Sequence, residues 1–182
     1  MSRQEETRNP LDVLDVVIQY AWRAHHDQPR SASKAVRRWD GHTPHAIHPI
    51  WCAMTILTET TLAENLRVRG AWALLLHDLL EDTTAHLPES TPPEVRDLVE
   101  KMTFASSNQE MTDVWSRGPE CRLLKLYDKV SNLLDGAWMD AEKTSTYGVY
   151  ARHLADDVET TYGRLNIVRI ARAVLAETGG PA

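Results

Sequence analysis

The chain reads LLLHDLLEDT over residues 74–83, a leucine-rich run that contains four side chains able to bind a cation or a proton. Ionisable groups are rarely buried without partners, so their place in such a run predicts that they act together. On a helix, Glu81 follows His77 by four residues and Asp82 follows Asp78 by four, so all four share one stripe. The arrangement suits a metal ion held by His77 and Asp78, beside a carboxylate pair that handles water or protons.

Helical periodicity dominates the rest of the chain, and strand patterns are nearly absent. Helices are predicted over about residues 10–24, from His48 onward, over about 66–82, from 92–94 onward, over about 120–134 and across about 139–176. Residues 28–44 and 83–91 are predicted to be loops, and the tail at 179–182 is predicted to be disordered. We therefore expect an all-α fold with a single domain over residues 1–182 and a core over about 10–176.

The composition is that of a globular protein, with 42% hydrophobic and 25% charged residues. The formal net charge of −6 argues against a broadly basic nucleic-acid binder, so an anionic ligand would need a local basic pocket or a metal ion. No run of about 18 apolar residues predicts a membrane span, and the polar N-terminal segment has no signal-peptide pattern. Cys52 and Cys121 are too few for a disulfide framework and fit buried free thiols. We expect a cytoplasmic location.

Two further segments complete a possible ligand set. His48-Pro49 opens an apolar run over residues 50–54, and residues 125–133 read KLYDKVSNL. The order His48, then His77 and Asp78, then Asp128 resembles that of the HD superfamily of metal-dependent phosphohydrolases. The resemblance implies an HD-type helical bundle in which these four side chains bind a metal ion.

Four motifs between residues 24 and 133 make the resemblance narrower. The first two, AHHDQPR at 24–30 and PHAIHP at 44–49, are similar to the Ala-His-x-x-Gln-x-Arg and Pro-Tyr-x-x-His-Pro motifs of the stringent-response alarmone hydrolases. HDLLEDT at 77–83 and KLYDKVSNL at 125–133 are similar to their His-Asp-x-x-Glu-Asp-Thr and Lys-Leu-x-Asp-x-x-x-Asn-Leu motifs. At this length the match is to the small, hydrolase-only members. The resemblance implies removal of pyrophosphate from the 3′ position of ppGpp-like alarmones.

The chain departs from that family at three places. His45 stands where the family has tyrosine, and KMTF at 101–104 keeps only the threonine of a Gly-x-Thr-Lys element. Leu134 precedes Asp135 where the family has arginine. These departures leave the ligand set unchanged, and they leave the exact nucleotide open.

The ligand set and its neighbours define the expected chemistry. Imidazole and carboxylate ligands without thiolate suit manganese, iron, cobalt, nickel or zinc better than magnesium. The resemblance implies manganese, and one ion is expected. Glu81 and Asp82 are predicted near a helix C-terminus, where the helix dipole disfavours negative charge. Their position beside the ligand pair indicates a catalytic use: to orient and deprotonate the water that attacks phosphorus.

Three residues are predicted to contact the substrate. Lys125 and Asn132 lie three residues before and four after Asp128, on the same helical face. Lys125 would contact a phosphate, and Asn132 would contact a sugar or support the backbone. Arg30 is similar to an arginine that lies near the nucleotide in the family. The two arginines at 37–38 are expected to form a solvated face.

Three other functions remain open at this point. The first is a nucleotidase or phosphatase of the same superfamily that acts on another nucleotide. The second is a di-iron oxygenase of the HD type, which needs additional histidine ligands between the His-Asp pair and Asp128. His86 is the only histidine in that interval, and it lies in a predicted loop, so one metal is favoured. The third is an inactive nucleotide-binding module, against which the complete ligand set argues. A homo-oligomer is compatible with any of them.

Overall fold

The computed structural model describes residues 10–178, which form α-helices and short connections. These residues contain no strand, only isolated bridges between Pro29 and Thr83 and between Val36 and Pro44. The helices are α1 (Pro10–Asp27), α2 (Ala32–Ala35), α3 (Ile47–Leu57), α4 (Glu64–Leu76), α5 (Leu79–Asp82), α6 (Pro93–Met102), α7 (Ser107–Asp113), α8 (Pro119–Leu134), α9 (Ala141–Tyr162) and α10 (Asn166–Thr178). The predicted all-α class is confirmed. The predicted disorder of the tail lies outside the described residues.

Helix α8 is the element on which most of the others pack. It contacts α3, α4, α6, α9 and α10, and it is buried over almost its whole length. Pro119 occupies its first turn, where a missing backbone N–H costs nothing. A helix buried on all sides would be apolar throughout, yet α8 buries Lys125, Asp128, Lys129 and Ser131 as well. These polar groups therefore need partners inside the protein.

The helices approach one another closely at Gly70 in α4. A Cβ atom at this position would lie 2.7 Å from Ile56 Cδ1 and 3.2 Å from Leu124 Cδ2. Glycine thus permits the contact of α4 with α3 and α8. One contiguous group of buried apolar side chains extends from Leu14 to Ala171, and a smaller group contains Leu133, Ala151, Val174 and Leu175.

Most of the long predicted helices are found with small shifts at their ends. α1 extends three residues beyond the predicted end, α3 begins one residue before His48, and α6 and α8 begin within one residue of their predicted starts. The pattern over 139–176 is divided into α9 and α10 at Gly163, whose φ of 81° ends the first of these helices. The short helices α2 and α7 were not predicted, since four and seven residues are too few for a periodic signal.

The prediction of one continuous helix over residues 66–82 is wrong. α4 ends at Leu76, and α5 begins at Leu79. The ring of His77 donates a hydrogen bond from Nδ1 to the Leu74 carbonyl at 2.7 Å. In a continuous helix that carbonyl would accept from the backbone N–H of Asp78. Asp78 instead has φ −83° and ψ −6°, so the chain turns between the two helices.

The segment after α1 is attached to the end of α5. The Arg30 N–H donates to the Asp82 carbonyl at 2.8 Å, and the Thr84 N–H donates to the Gln28 carbonyl at 2.9 Å. The second bridge, between Val36 and Pro44, closes the remainder of the predicted loop over 28–44. This loop therefore lies beside the residues that the sequence singled out. Among the described residues, no helix is both long and apolar enough to cross a membrane, and Cys52 and Cys121 are buried free thiols, as predicted.

A buried carboxylate connects the end of α3 to α8 and α10. Glu59 accepts the backbone N–H groups of Asn166 and Ile167, each at 2.8 Å, and the Tyr127 hydroxyl at 3.1 Å. The two N–H groups belong to the first turn of α10, where a helix has no internal acceptors and favours negative charge. Glu59 thus caps α10 from a distant part of the chain.

Replacing Glu59 should destabilise the fold. Glu59→Ala would leave these three donors without their acceptor, and it should lower the free energy of unfolding by about 3–5 kcal/mol. Urea denaturation followed by circular dichroism measures the change. Glu89→Ala is the matched control, because Glu89 is exposed in a loop, and it should stay within about 0.5 kcal/mol of the parent. Equal stability of the two variants would contradict the capping role.

Candidate metal centre and nucleotide cavity

Three separate parts of the chain bring the four predicted metal ligands together. His48 lies in the first turn of α3, His77 and Asp78 lie between α4 and α5, and Asp128 lies in the middle of α8. The Nε2 atoms of His48 and His77 are 3.3 Å apart. His48 Nε2 is 3.4 Å from Asp128 Oδ1 and 3.4 Å from Asp78 Oδ2, and His77 Nε2 is 3.1 Å from Asp78 Oδ1. An ion with bonds of about 2.1 Å separates neighbouring ligands by about 3.0–3.5 Å. The ligand atoms of His48, His77 and Asp128 all lie within 4.8 Å of one another, with His77 Nε2 3.9 Å from Asp128 Oδ1, so small shifts would let these three hold a metal ion.

The hydrogen bonds of the two rings direct their lone pairs toward the cluster. A carbonyl only accepts, so the contact between His77 Nδ1 and the Leu74 carbonyl places a proton on Nδ1. Nε2 of neutral His77 then carries a lone pair that faces the carboxylates. Nδ1 of His48 contacts the Ser131 hydroxyl at 2.8 Å, and in the tautomer that donates to this oxygen the Nε2 lone pair of His48 faces the cluster as well. Lone pairs and carboxylate oxygens that converge in a buried space fit a cation.

The pKa shifts of the cluster also indicate that its carboxylates stabilise a positive charge. Burial alone would lower the pKa of His77, but the Asp78 and Asp128 carboxylates raise it to about 9. Burial lowers the pKa of His48 to about 4. The pKa of His77 is raised and that of His48 is lowered, so one ring is protonated and the other neutral. This agrees with the 3.3 Å contact between the two Nε2 atoms, which accommodates one proton between them. Burial would raise the pKa of Asp78, yet the neighbouring histidines hold it well below its usual range.

Asp128 is surrounded by a second set of buried charges. Its Oδ2 atom lies 3.1 Å from Lys125 Nζ and 3.2 Å from Lys129 Nζ, while Oδ1 faces the histidines. Glu110 of α7 accepts from Lys125 at 3.0 Å and from Lys129 at 3.1 Å. Burial would lower the pKa of Lys125, but the carboxylates of Asp128 and Glu110 raise it well above its usual value. Two lysines and two carboxylates thus balance one another inside the protein.

The predicted catalytic carboxylates lie next to the ligand cluster. Glu81 is half-buried, and its Oε1 atom accepts the Phe104 N–H at 2.9 Å. Burial raises the pKa of Glu81, and the nearby Lys125 charge only partly opposes that rise. Asp82 forms an ion pair with Lys34, and its Oδ2 lies 3.5 Å from His45 Nε2. Burial, followed by the charge of Asp78, raises the pKa of Asp82 as well.

A cavity of about 860 Å³ opens beside these groups. Asp78, Glu81, Asp82 and Asp128 line it, while His48 and His77 are buried and contact two of these carboxylates. Although the chain is net acidic, many of the other lining side chains are cationic. They are Arg30, Lys34, Arg37, Arg38, Lys125, Lys129 and Lys143. The cavity therefore combines a negatively charged cluster with a positively charged surround.

The three predicted substrate contacts all line this cavity, in different environments. Arg30 is exposed and donates a hydrogen bond to the Leu80 carbonyl at 3.1 Å. Asn132 donates to Asp128 Oδ1 at 2.7 Å, so it supports a candidate ligand. Lys125 is only 2% exposed, and its ammonium is shared between Glu110 and Asp128. Of the three, Arg30 has the most accessible charge.

The predicted solvated face at 37–38 is wrong for Arg37. This residue is buried, and its guanidinium donates to Asp135 Oδ2 at 2.7 Å and to Asn132 Oδ1 at 3.1 Å. The Arg37 N–H donates to the Thr43 carbonyl within the loop, and the guanidinium contacts hold the loop against the end of α8. Arg38 is exposed as predicted, with its guanidinium 4.7 Å from the centre of the Trp138 ring.

Several cavity residues were not singled out from the sequence. Lys129 could have been found, because it lies four residues after Lys125 on the face that carries Asp128. Lys34, Glu110 and Lys143 lie outside the four motifs, and the fold brings them to the cavity. His86, the histidine considered for a second iron ligand, is exposed and does not line the cavity.

The comparisons with known proteins support the fold. No family model matches the chain, and no curated protein matches it. A solved structure of a metazoan ortholog of SpoT, which hydrolyzes ppGpp and plays a role in starvation responses, aligns with a TM-score of 0.67 at 23% sequence identity. The alignment covers 91% of this chain and 94% of that chain. The likeness shows that this chain shares the helical fold of that protein, in agreement with the predicted all-α bundle.

The balance of buried charges around Glu110 should be measurable. Glu110→Gln leaves an excess positive charge on two buried lysines, and it should lower the free energy of unfolding by about 3–5 kcal/mol. Adding Lys129→Met removes the excess charge and should recover about 1–3 kcal/mol of that loss. Denaturant titration of the parent, both single variants and the double variant gives the coupling energy. Strictly additive effects of the two substitutions would show that the network is not coupled. Glu177→Gln, at an exposed position, serves as the control.

Proposed function

We propose that this protein is a metal-dependent phosphohydrolase that removes pyrophosphate from the 3′ position of ppGpp-like alarmones. One observation carries the proposal: a cavity of about 860 Å³ in which a His-Asp cluster faces a group of cations, in a chain with a net charge of −6. The motif resemblance and the structural similarity to a ppGpp-hydrolysing protein both support this substrate class. A cytoplasmic location fits a small nucleotide substrate.

His48, His77, Asp78 and Asp128 would hold a divalent cation. Their ring nitrogens and carboxylate oxygens already converge, and the proton on His77 Nδ1 leaves Nε2 as the atom that would bind the ion. Manganese is the proposed ion, because the ligand set is imidazole and carboxylate and because the motifs resemble those of manganese enzymes. Such an ion lowers the pKa of a bound water and polarises a phosphoryl oxygen.

Glu81 is the best-placed acceptor for the proton of the attacking water. Its carboxylate lines the cavity, and the Phe104 N–H fixes one of its oxygens. A raised pKa suits a group that must take up a proton near neutral pH. Asp82, held by Lys34, would orient the same water. The bond that breaks joins the 3′ oxygen to phosphorus, so GDP and pyrophosphate are the products from ppGpp.

The cationic side chains would bind the phosphates of the substrate. Pyrophosphate groups carry dense negative charge, and Arg30, Lys34, Arg38 and Lys143 present cations to the cavity that are less buried than Lys125. An arginine can bind two phosphate oxygens at once, whereas a lysine acts as a point charge. Lys125 would act mainly through Asp128, with which it is paired.

The role of Glu81 can be separated from metal binding. Glu81→Gln removes a proton acceptor without changing a proposed ligand, so the variant should retain its metal and lose about a hundredfold or more in kcat. Elemental analysis and steady-state kinetics on the same preparation test both parts. Glu100→Gln, on the exposed face of α6, should leave both unchanged. Loss of metal with normal turnover per bound ion would refute the assigned role.

The proposed substrate is tested by product analysis and by replacement of one cationic residue, Arg30. Chromatography of ppGpp incubated with the manganese-loaded protein should show GDP and pyrophosphate. Arg30→Ala should raise KM roughly ten- to a hundredfold, because one charge-assisted contact contributes about 1.5–3 kcal/mol. Arg23→Ala, exposed on α1 and outside the cavity, should leave KM unchanged. Release of free phosphate from a nucleoside monophosphate, with ppGpp intact, would favour a nucleotidase.

A further inference from the structure

The carboxylate of Asp78 faces two different groups of side chains. Its Oδ1 atom lies 3.1 Å from His77 Nε2, within the first cluster. Its Oδ2 atom lies 3.0 Å from Nε2 of His45, a residue that is not part of that cluster. His45 Nε2 also lies 3.5 Å from Asp82 Oδ2. His45, Asp78 and Asp82 thus form a second set of three potential ligand atoms, all within 4.8 Å of one another.

The spacing of this second set fits a common ion. Bonds of about 2.1 Å to nitrogen and oxygen place neighbouring ligand atoms about 3.0–3.5 Å apart. The two separations measured from His45 Nε2, 3.0 and 3.5 Å, agree with that range. One imidazole and two carboxylates are ligands that suit manganese, iron, cobalt or zinc.

An unpaired histidine beside the second set is an independent observation. His25 is 1% exposed, and neither of its ring nitrogens has a hydrogen-bond partner among residues 10–178. Its ring centre lies 4.8 Å from that of His45. Buried polar atoms without partners are rare, and they often mark a place where an ion or an ordered water belongs. The hydrogen bond between His45 and Asp78 and the ion-pair contact between His45 and Asp82 leave His25 unexplained.

Lys34 is the positive charge already present at this place. Its ammonium pairs with Asp82 Oδ1, whereas Asp82 Oδ2 faces His45. Lys34 therefore competes electrostatically with a cation but does not occupy the oxygen that the cation would use. It is partly exposed, so it can move away without leaving a buried charge unpaired.

We propose that His45, Asp78 and Asp82 bind a second divalent transition-metal ion, with Asp78 bridging it to the ion held by His48, His77 and Asp128. The inference extends the proposed function and depends on its first metal ion. Metal pairs of this kind lie about 3.5–4 Å apart and can stabilise both the attacking and the leaving oxygen of a phosphoryl transfer. The imidazole of His45 completes this second set of ligand atoms.

Metal titration of the full-length protein tests the second site directly. The metal-free protein, titrated with Mn²⁺ alone in a calorimeter, should bind two equivalents. Electron paramagnetic resonance at saturation should show a spin-coupled pair. His45→Phe should bind one equivalent with an uncoupled signal. His153→Phe, which removes an exposed histidine of α9, should still bind two.

A further variant tests the competition with Lys34. Lys34→Met removes a positive charge beside Asp82, so it should tighten the second equivalent about tenfold and leave the first nearly unchanged. Should His45→Phe fail to fold, Asp82→Asn takes its place and should likewise lose only the second equivalent. One equivalent in the parent, unchanged by either substitution, overturns the second site while the proposed function stands. No bound manganese at all would overturn both.

Discussion

Buried charge is the constraint on which the rest of this structure depends. Asp128 lies within a helix that is buried on nearly all sides, and a lone carboxylate there would be very costly. The desolvation cost of the Asp128 carboxylate is offset on one side by Lys125 and Lys129. These two buried lysines carry one more positive charge than Asp128 can balance, and Glu110 balances it. On the other side, Asp128 faces the two histidines of the candidate metal centre. Glu110 thereby connects the short helix α7 to this buried network.

The same constraint explains how an acidic chain can offer a site to an anion. The carboxylates of the centre are matched by histidines and by buried lysines, and a bound cation would offset them further. Cations from the 28–44 loop and from α9 then face the cavity with less competition from negative charge. Net charge describes the surface as a whole, whereas the field at a cavity depends on the few groups that line it. The overall charge of −6 therefore excludes a broadly basic surface but not a nucleotide site.

The sequence predicted the parts of the fold that repeat or that match a motif. Periodic apolar residues located α1, α3, α6 and α8, and the order of the motifs brought four candidate ligands to one place. Contacts between residues far apart along the chain could not be predicted from the sequence. The burial of Arg37 depends on its pairing with Asp135, almost one hundred residues later, and Lys34 reaches Asp82 only because the loop bonds to α5. No local pattern reports such contacts.

The broken helix at residues 77–78 shows why a local rule failed at the most informative place. Successive residues on an α-helix point about 100° apart and do not face each other. On a continuous helix, the side chains of His77 and Asp78 would therefore start about 100° apart. Because the His77 ring occupies the Leu74 carbonyl, the helix ends there, and His77 Nε2 comes within 3.1 Å of Asp78 Oδ1. The turn also lets Asp78 reach His45 with its other oxygen. The helical regularity that the leucines predict is lost at the two residues whose side chains must converge.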